Sequence, residues 1–349
     1  MPSPWDYPDF DDHEVVHFAT DADSGLKVII AIHSTHRGPA AGGTRFWHYP
    51  ERGAAVADAL RLSRGMSFKN AMADLPMGGG KAVILAPEDG AKTPALLAAY
   101  GRVVEGLGGR YVTAADVGIS VADLVAVSGQ TRYISGLPAA AGSAGGDSGP
   151  HTAYGVFLGI KAAVRRVLGK DSLDGVRIAL QGAGSVGGGL ARLAAGEGAL
   201  LSIADVDPAR ARSLAEEVGG TAVDPATIMT IEADVLSPCA LGAILTAESI
   251  AALDVRIVAG GANNQLAHPE DGARLAERGV LYAPDYVINA GGIINVGLEY
   301  LGGVTNEEVR SRIEQIPGRL ERIWDESERT GSDPSVVADA MARKLIGRA

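Results

Sequence analysis

An α/β protein of two domains is what this sequence predicts: an N-terminal α/β domain followed by a doubly wound parallel sheet. Three observations carry the prediction. The chain has 349 residues, more than one hydrophobic core usually organises. Short β-branched runs alternate with amphipathic helical patterns in both halves, as in a sheet covered by helices. Between the halves, residues 137–150 are small residues and breakers without periodicity, which read as an interdomain loop or hinge. The expected domains are 1–140 with a C-terminal helix at 330–349, and 145–329.

Residues 26–32 form a short apolar run and read as a strand, as do 81–85 and 111–113. Thr93 then Pro94 is a helix start, a cap with proline at the first helical position. Leu96, Leu97, Tyr100, Val103, Val104 and Leu107 mark one face of that helix. Ser120 and Asp123 resemble a capping box, with Asp replacing the usual Glu or Gln. After the loop, Thr152 is expected to cap a helix with the stripe Val156, Phe157, Ile160, Val164, Val167 and Leu168. A strand at 176–180 runs into a glycine-rich turn, a helix over 185–197 and a second strand at 200–204. Further strands are expected at 235–236, 256–259 and 280–282. The Glu/Arg-rich stretch 307–329 reads as a solvated helix face interrupted near Pro317. Asp333 and Pro334 open a last helix, expected to pack on the first domain.

Composition excludes several functions. The net charge is −11, with no long basic tract, which argues against a nucleic-acid partner. No apolar window approaches the roughly 20 residues of a membrane span. The acidic, proline-rich N-terminus lacks the basic and apolar regions of a signal peptide. A cytoplasmic location is therefore expected, although the first eighteen residues carry no readable motif. Cys239 is the only cysteine, so no internal disulfide or cysteine metal cluster is expected. It has no histidine partner in view and reads as a small packing residue. His33 and His36 flank a strand end without an evident third ligand, so hydrogen-bonded or solvated histidines are expected and no metal.

Chemistry concentrates in two places. Lys69 lies in Met-Ser-Phe-Lys-Asn-Ala, Lys81 follows three glycines, and Asp116 lies in Thr-Ala-Ala-Asp-Val-Gly. An ammonium can hold a carboxylate. A desolvated lysine near another cation loses its proton more readily, and Lys69 beside Lys81 would act in that way. A carboxylate can then shuttle the proton. The second place is Gly182-Ala-Gly184-Ser185-Val186-Gly187, which follows a strand and opens a helix. This is a Rossmann-type dinucleotide fingerprint: Gly182 for the tight turn, Gly184 for approach of the pyrophosphate, Gly187 for close helix packing. Asp205, at the end of the next strand, is placed to accept hydrogen bonds from the adenosine ribose. It would repel a 2′-phosphate, so NAD is expected rather than NADP. Asp207 could share that role, but reads first as an N-cap for a helix beginning at Pro208. Together these residues suit an oxidoreductase for a substrate with a carboxylate and a protonatable nitrogen, such as an amino acid.

From about residue 20 to the end the chain resembles the Glu/Leu/Phe/Val dehydrogenase family, most of all its leucine, valine and phenylalanine branch. The resemblance rests on the lysine and glycine motifs and on 259–266 and 282–292, which contain Asn263 and Asn289. It implies an N-terminal substrate and oligomerisation domain, a C-terminal NAD-binding domain, an active site in the cleft between them and a homo-oligomer. It also implies reversible, NAD-dependent oxidative deamination of an L-amino acid to a 2-oxo acid and ammonia. By resemblance, Lys69 binds the α-carboxylate, Lys81 activates water and Asp116 is the proton shuttle. Gly42 and Gly43 line the substrate. Ala41, Met66, Ala114, Ile293 and Val296 belong to its pocket. Asn263 holds substrate and nicotinamide. Ser185, Val186, Pro238, Cys239, Ala240 and Asn289 join the glycines on the cofactor.

The substrate side chain is less legible. Glutamate-using members carry a lysine where this chain has Ala41, so glutamate is disfavoured, since a carboxylate buried there would lack a partner. Ala41 resembles the phenylalanine enzymes, whereas Ala114 and Val296 resemble the leucine and valine pattern. An aliphatic substrate is expected, with an aromatic one as the alternative. Two other classes fit the residues less well. A non-catalytic dinucleotide-binding regulator predicts loss of Lys69, Lys81 or Asp116, and all three are present. A hydroxy-acid dehydrogenase would need a His–carboxylate pair beyond the cofactor motif, and none is evident.

Overall fold

A computed structural model describes residues 3–138, 143–240 and 242–348. Residues 139–142 of the loop expected at 137–150 lie outside the described residues. The chain forms two compact units. One comprises Met1–Asp147, Ile293–Val309 and Ala342–Ala349, the other Ser148–Gly292 and Arg310–Met341.

The first unit is built on β1 (Val15–Asp21), β2 (Leu26–Ser34), β3 (Ala40–Trp47), β4 (Gly78–Leu85) and β5 (Tyr111–Ala115), with α1 (Arg52–Met72), α2 (Pro94–Gly106) and α3 (Val121–Ser128). The sheet order is β1-β2-β4-β3-β5. β1 and β4 flank β2 antiparallel, whereas β3 runs parallel to both β4 and β5. Side chains alternate across the pleat. Ile29, Ala31 and Val83 therefore meet Ala55, Ala59 and Leu60 of α1. Val28, Ile30, Ile32, Ala82 and Ile84 face Leu96, Leu97, Tyr100 and Leu124 of α2 and α3. Both faces being covered explains why β2 reads as a continuous apolar run. The expected caps are present: Thr93 accepts from Leu96 N at 3.1 Å, and Ser120 and Asp123 close their box reciprocally.

The second unit holds α4 (Gly149–Leu168), β6 (Arg177–Gln181), α5 (Ser185–Gly196), β7 (Leu200–Ala204), α6 (Pro208–Val218), β8 (Thr221–Ala222), β9 (Val235–Pro238), α7 (Ala247–Ala252), β10 (Ile257–Val258), α8 (Glu270–Glu277), β11 (Leu281–Tyr282) and α9 (Asp285–Ile288). Its six strands are all parallel, in the order β11-β10-β9-β6-β7-β8. Counted along the chain, that is the 3-2-1-4-5-6 arrangement of a Rossmann sheet, with its switch point between β6 and β9. The helix after the loop begins earlier than expected. Ser148 is at the cap position and Pro150 falls in the first turn, where its missing N–H costs nothing. Thr152 is already helical and donates from Oγ1 to the Ser148 carbonyl at 3.0 Å.

Four more helices complete the chain: α10 (Gly291–Leu301), α11 (Asn306–Ile313), α12 (Ile316–Thr330) and α13 (Pro334–Leu345). The break expected near Pro317 separates α11 from α12, with the proline in the first turn of α12. Trp324 of α12 is buried and donates to the Tyr282 carbonyl at 2.9 Å. α13 belongs to the second unit as far as Met341 and to the first from Ala342. No helix among the described residues is long and apolar enough to cross a membrane.

Candidate active site

In the first unit, the start of β4 is a crowded place. A Cβ on Gly78 would collide with the Ser34 carbonyl, on Gly79 with the Ser67 backbone, and on Gly80 with the Tyr111 ring. Three glycines let α1, β2, β3 and β5 close tightly around the strand, which delivers Lys81 into the interior. Lys81 is 5% exposed, and its Nζ stands 2.7 Å from Asp116 Oδ2.

The neighbouring strand completes the wall. A Cβ on Gly42 would meet the Gly80 carbonyl and Met66 Cγ. One on Gly43 would meet the Ala115 carbonyl and Asp116 Cβ. Register pairs Ala41 with Gly79 and Gly43 with Ala114. Gly42, Gly43, Met66, Lys81, Ala114 and Asp116 therefore share one site. Asn70 donates from Nδ2 to the Gly78 carbonyl at 2.5 Å and to that of Ala41 at 3.4 Å. It ties down the end of α1, on which half-buried Lys69 precedes it. Ile293 and Val296 are half-buried on α10. A Cβ on Gly297 would touch Leu75 Cδ1 at 3.0 Å, so that helix stands on the segment joining α1 to β4.

Two charged residues of this site carry no sequence motif. Arg45 lies two residues after Gly43 on the same strand face. Its Nε donates to Asp116 Oδ2 at 3.2 Å and its Nη1 to Asp58 Oδ2 at 2.8 Å. Asp58, on α1, also accepts from the Tyr49 hydroxyl at 2.8 Å and from Arg61 at 2.9 Å. The strand face of Gly43 is the one signal that could have found Arg45. Asp58 becomes visible only with α1, a helix that the sequence pattern does not announce.

Burial pushes Lys81 below the ordinary lysine range. The Asp116 carboxylate opposes this and the Arg45 charge reinforces it. Arg45 is thus a cation that the geometry sets beside this pair. Burial works to raise Asp116, but the Lys81 charge and hydrogen bond, with Arg45 behind them, hold its carboxyl below the usual range. The resting pair is an ionised carboxylate and a lysine made easier to deprotonate.

In the second unit, Gly182 turns at φ +100° between β6 and α5. A Cβ on Gly187 would collide with the Gly182 carbonyl, whereas one on Gly184 would meet nothing within 4 Å among the described residues. One glycine serves packing and the other leaves open space above the turn, where Ser185 and Val186 open α5. Asp205 is nearly buried and holds the turn: Oδ2 accepts from Ala183 N at 2.7 Å and Oδ1 from Asp207 N at 2.8 Å. Arg210 approaches Asp205 at 3.4 Å and Asp207 at 3.6 Å. Asp207 itself caps α6 by accepting from Ala209 N and Arg210 N.

The second wall of this site is the end of β9 and the residues just beyond it. A Cβ on Gly182 would press on Ala240 at 2.8 Å, and one on Gly260 would collide with the Pro238 backbone. Cys239 accepts at Sγ from Gly261 N at 3.4 Å, and burial pushes its thiol up, as suits a packing residue. Asn289 donates to the Asn263 side-chain oxygen at 2.8 Å and to the Gly261 carbonyl at 3.2 Å. The expected cofactor residues 182–187, 205 and 238–240 thus lie at the ends of β6, β7 and β9 or in the turns and helix start beside them, with Asn263 after β10 and Asn289 at the end of α9, on the side where ligands bind in open parallel sheets.

Comparison with known proteins agrees with both halves. The profile of the Glu/Leu/Phe/Val dehydrogenase dimerisation domain matches residues 13–133, and that of Glutamate/Leucine/Phenylalanine/Valine dehydrogenase matches 200–346. The chain is 45% identical to leucine dehydrogenase of Bacillus subtilis, over 97% of this chain and 92% of that one. It is 44% identical to valine dehydrogenase of Streptomyces albus, over 97% and 93%. The crystal structure of L-tryptophan dehydrogenase from Nostoc punctiforme superposes with a TM-score of 0.84 at 42% identity, over 96% of each chain. With most of the chain matched by the two profiles and nearly its full length by these relatives, the chain belongs to the Glu/Leu/Phe/Val dehydrogenase family of amino-acid dehydrogenases.

Proposed function

We propose that the chain catalyses reversible, NAD-dependent oxidative deamination of an L-amino acid with a leucine- or valine-type side chain, yielding the 2-oxo acid and ammonia. The observation that carries this reading is the pair of buried Lys81 and half-buried Asp116 at 2.7 Å against the bare backbone of Gly42 and Gly43. Relatives named leucine and valine dehydrogenase at 45% and 44% identity support the aliphatic substrate.

The residues divide the work. Lys69 holds the α-carboxylate through its ammonium. Lys81 takes the proton of the water that attacks the substrate iminium, and its charge steadies the oxyanion that forms. Asp116 receives and returns that proton at its carboxylate, and delivers one to the departing amine. Ala41, Met66, Ala114, Ile293 and Val296 line the side-chain pocket. The second unit fits NAD: the open Gly184 turn and the N-terminus of α5 suit a pyrophosphate, and Asp205 keeps lone pairs for ribose hydroxyls. Asn289 has a buried Oδ1 without a partner among the described residues, beside Asn263, ready to accept from an amide. When bound, NAD supplies the hydride acceptor. Dimerisation is the function named for the profile matching 13–133, and it supports a homo-oligomer.

An aromatic substrate is the second reading. Ala41 is a small residue at a pocket position, and the 42% identical structure is a tryptophan dehydrogenase. The test is NADH formation at alkaline pH from L-leucine, L-valine, L-phenylalanine, L-tryptophan, L-glutamate and L-lactate, with Lys81→Ala alongside. Turnover of leucine or valine that is lost in Lys81→Ala supports the first reading. Preference for phenylalanine or tryptophan selects the second. No amino-acid turnover by folded, NAD-binding protein refutes both.

A further inference from the structure

We propose that Arg45 is a positioning residue for proton transfer: it keeps one oxygen of Asp116 bound to a permanent cation while Lys81 gives up and regains its proton. The inference rests on the reading of Lys81 and Asp116 as the proton-transfer pair, and it assigns roles to Arg45 and Asp58.

The geometry is a chain of alternating charge. Arg61 and Asp58 lie on α1, Arg45 on β3, Asp116 just beyond β5 and Lys81 on β4. Asp116 Oδ2 takes both Lys81 Nζ at 2.7 Å and Arg45 Nε at 3.2 Å. Asp58 takes Arg45 Nη1 at 2.8 Å and Arg61 Nη2 at 2.9 Å, with the Tyr49 hydroxyl as a further donor. These charged and titratable groups bear on the pair.

Without Arg45, a neutral Lys81 would leave the Asp116 carboxylate desolvated and without a counter-charge. Such a carboxylate keeps a proton it has received, and the shuttle would stop there. A guanidinium does not deprotonate in proteins, so Arg45 holds Asp116 in place through the whole cycle and makes it return each proton it receives. Asp58 holds the other side of the guanidinium fork, which prevents Arg45 from swinging both donors onto Asp116. Each anion in the chain therefore has a fixed partner that does not take part in the reaction.

The test compares Arg45→Gln, Arg45→Lys and Asp58→Asn with the unaltered enzyme by two readouts. One is the pH profile of kcat/KM for L-leucine. The other needs no activity: the pH midpoint for acetylation of Lys81 by acetic anhydride, read by mass spectrometry. Losing a cation makes both Lys81 and Asp116 hold protons more tightly. In Arg45→Gln the Lys81 midpoint and the rising limb of the profile should therefore move up by about one pH unit, and Arg45→Lys should recover most of that shift. Losing an anion in Asp58→Asn should move both down. Opposite shifts support the proposal, because loosened packing would hydrate Lys81 and raise its midpoint in both variants. Unchanged midpoints, or shifts in the same direction, overturn it. Should Arg45→Gln not fold, Asp58→Asn decides: a downward shift supports the role and no shift overturns it. If no amino acid is turned over, the proposed activity fails, while the acetylation midpoints still decide the role of Arg45.

Discussion

Asn289 reaches across the turn after β10 to donate to the Asn263 side-chain oxygen at 2.8 Å, and its own Oδ1 is buried without a partner among the described residues. A buried amide oxygen left unpaired costs free energy, and a ligand donor would remove that cost. Asn289→Ala is therefore expected to weaken NADH binding by roughly 5- to 30-fold, the equivalent of about 1–2 kcal/mol. Titration of NADH fluorescence measures it, and unchanged affinity would remove Asn289 from the cofactor site.

Gly184 and Gly187 should fail differently. A Cβ at Gly187 collides with the Gly182 carbonyl, but one at Gly184 meets open space. Gly187→Ala should lower Tm and give little soluble enzyme. Gly184→Ala should keep Tm within a degree or two of the parent and lose NAD affinity, because the added methyl stands where the pyrophosphate approaches. A large drop in Tm for Gly184→Ala would show that the open space is not what the turn preserves.

Local causes decide which elements are legible in the sequence. β2, β6 and β7 are legible because strands covered on both faces are continuous apolar runs. The Gly182–Gly187 turn is legible because sterics allow few alternatives there. α1 is not: its 21 residues are mostly alanine, glycine, serine and arginine, without an apolar stripe for a periodicity argument. Asp58, which α1 carries, stays hidden with it. Lys81 and Asp116 stand out by their glycine contexts. Arg45 acquires meaning only once β3 is known to pair with β5, which sets Arg45 and Asp116 side by side. Thr152 reads as a cap because it precedes an apolar stripe, yet Pro150 lets the helix start a turn earlier.

Asp205 should control the choice of dinucleotide together with Arg210, which lies 3.4 Å from it. The carboxylate repels a 2′-phosphate, while a freed guanidinium would attract one. Asp205→Ser is expected to raise the ratio of kcat/KM for NADP over NAD by roughly tenfold or more, corresponding to about 1.4 kcal/mol of relieved repulsion. Some stability should be lost with the bond to Ala183 N, so the ratio is the quantity to compare. An unchanged ratio would rule out Asp205 as the discriminating charge.

His33 should make the first unit acid-sensitive. It is fully buried on β2, with Nδ1 2.8 Å from Ser67 Oγ and Nε2 2.7 Å from Arg348 Nη1 and 3.2 Å from Asp11. Arg348 must donate, so the neutral ring accepts at Nε2 and donates from Nδ1 to Ser67. Burial first, then the charges of Arg348 and His13, push its pKa down to about 3, against the opposing pull of Asp11. Arg343 also grips Asp11 at 3.1 Å, which leaves that carboxylate little freedom to compensate a protonated His33. In the unfolded chain the ring titrates near the ordinary value of about 6.5. Between those two values the unfolded state binds a proton that the folded state refuses. Stability is therefore intact above about pH 6.5 and falls progressively as the pH drops toward 3, by several kcal/mol over the full window. His13, also lowered by burial, adds in the same direction, while Asp11, held low, contributes only below the usual carboxylate range. Urea midpoints at fixed protein concentration between pH 4.5 and 7 should fall steeply for the unaltered chain. They should fall less steeply for His33→Asn, even though that variant starts less stable at pH 7. Parallel slopes for the two proteins would show that His33 does not carry the acid sensitivity.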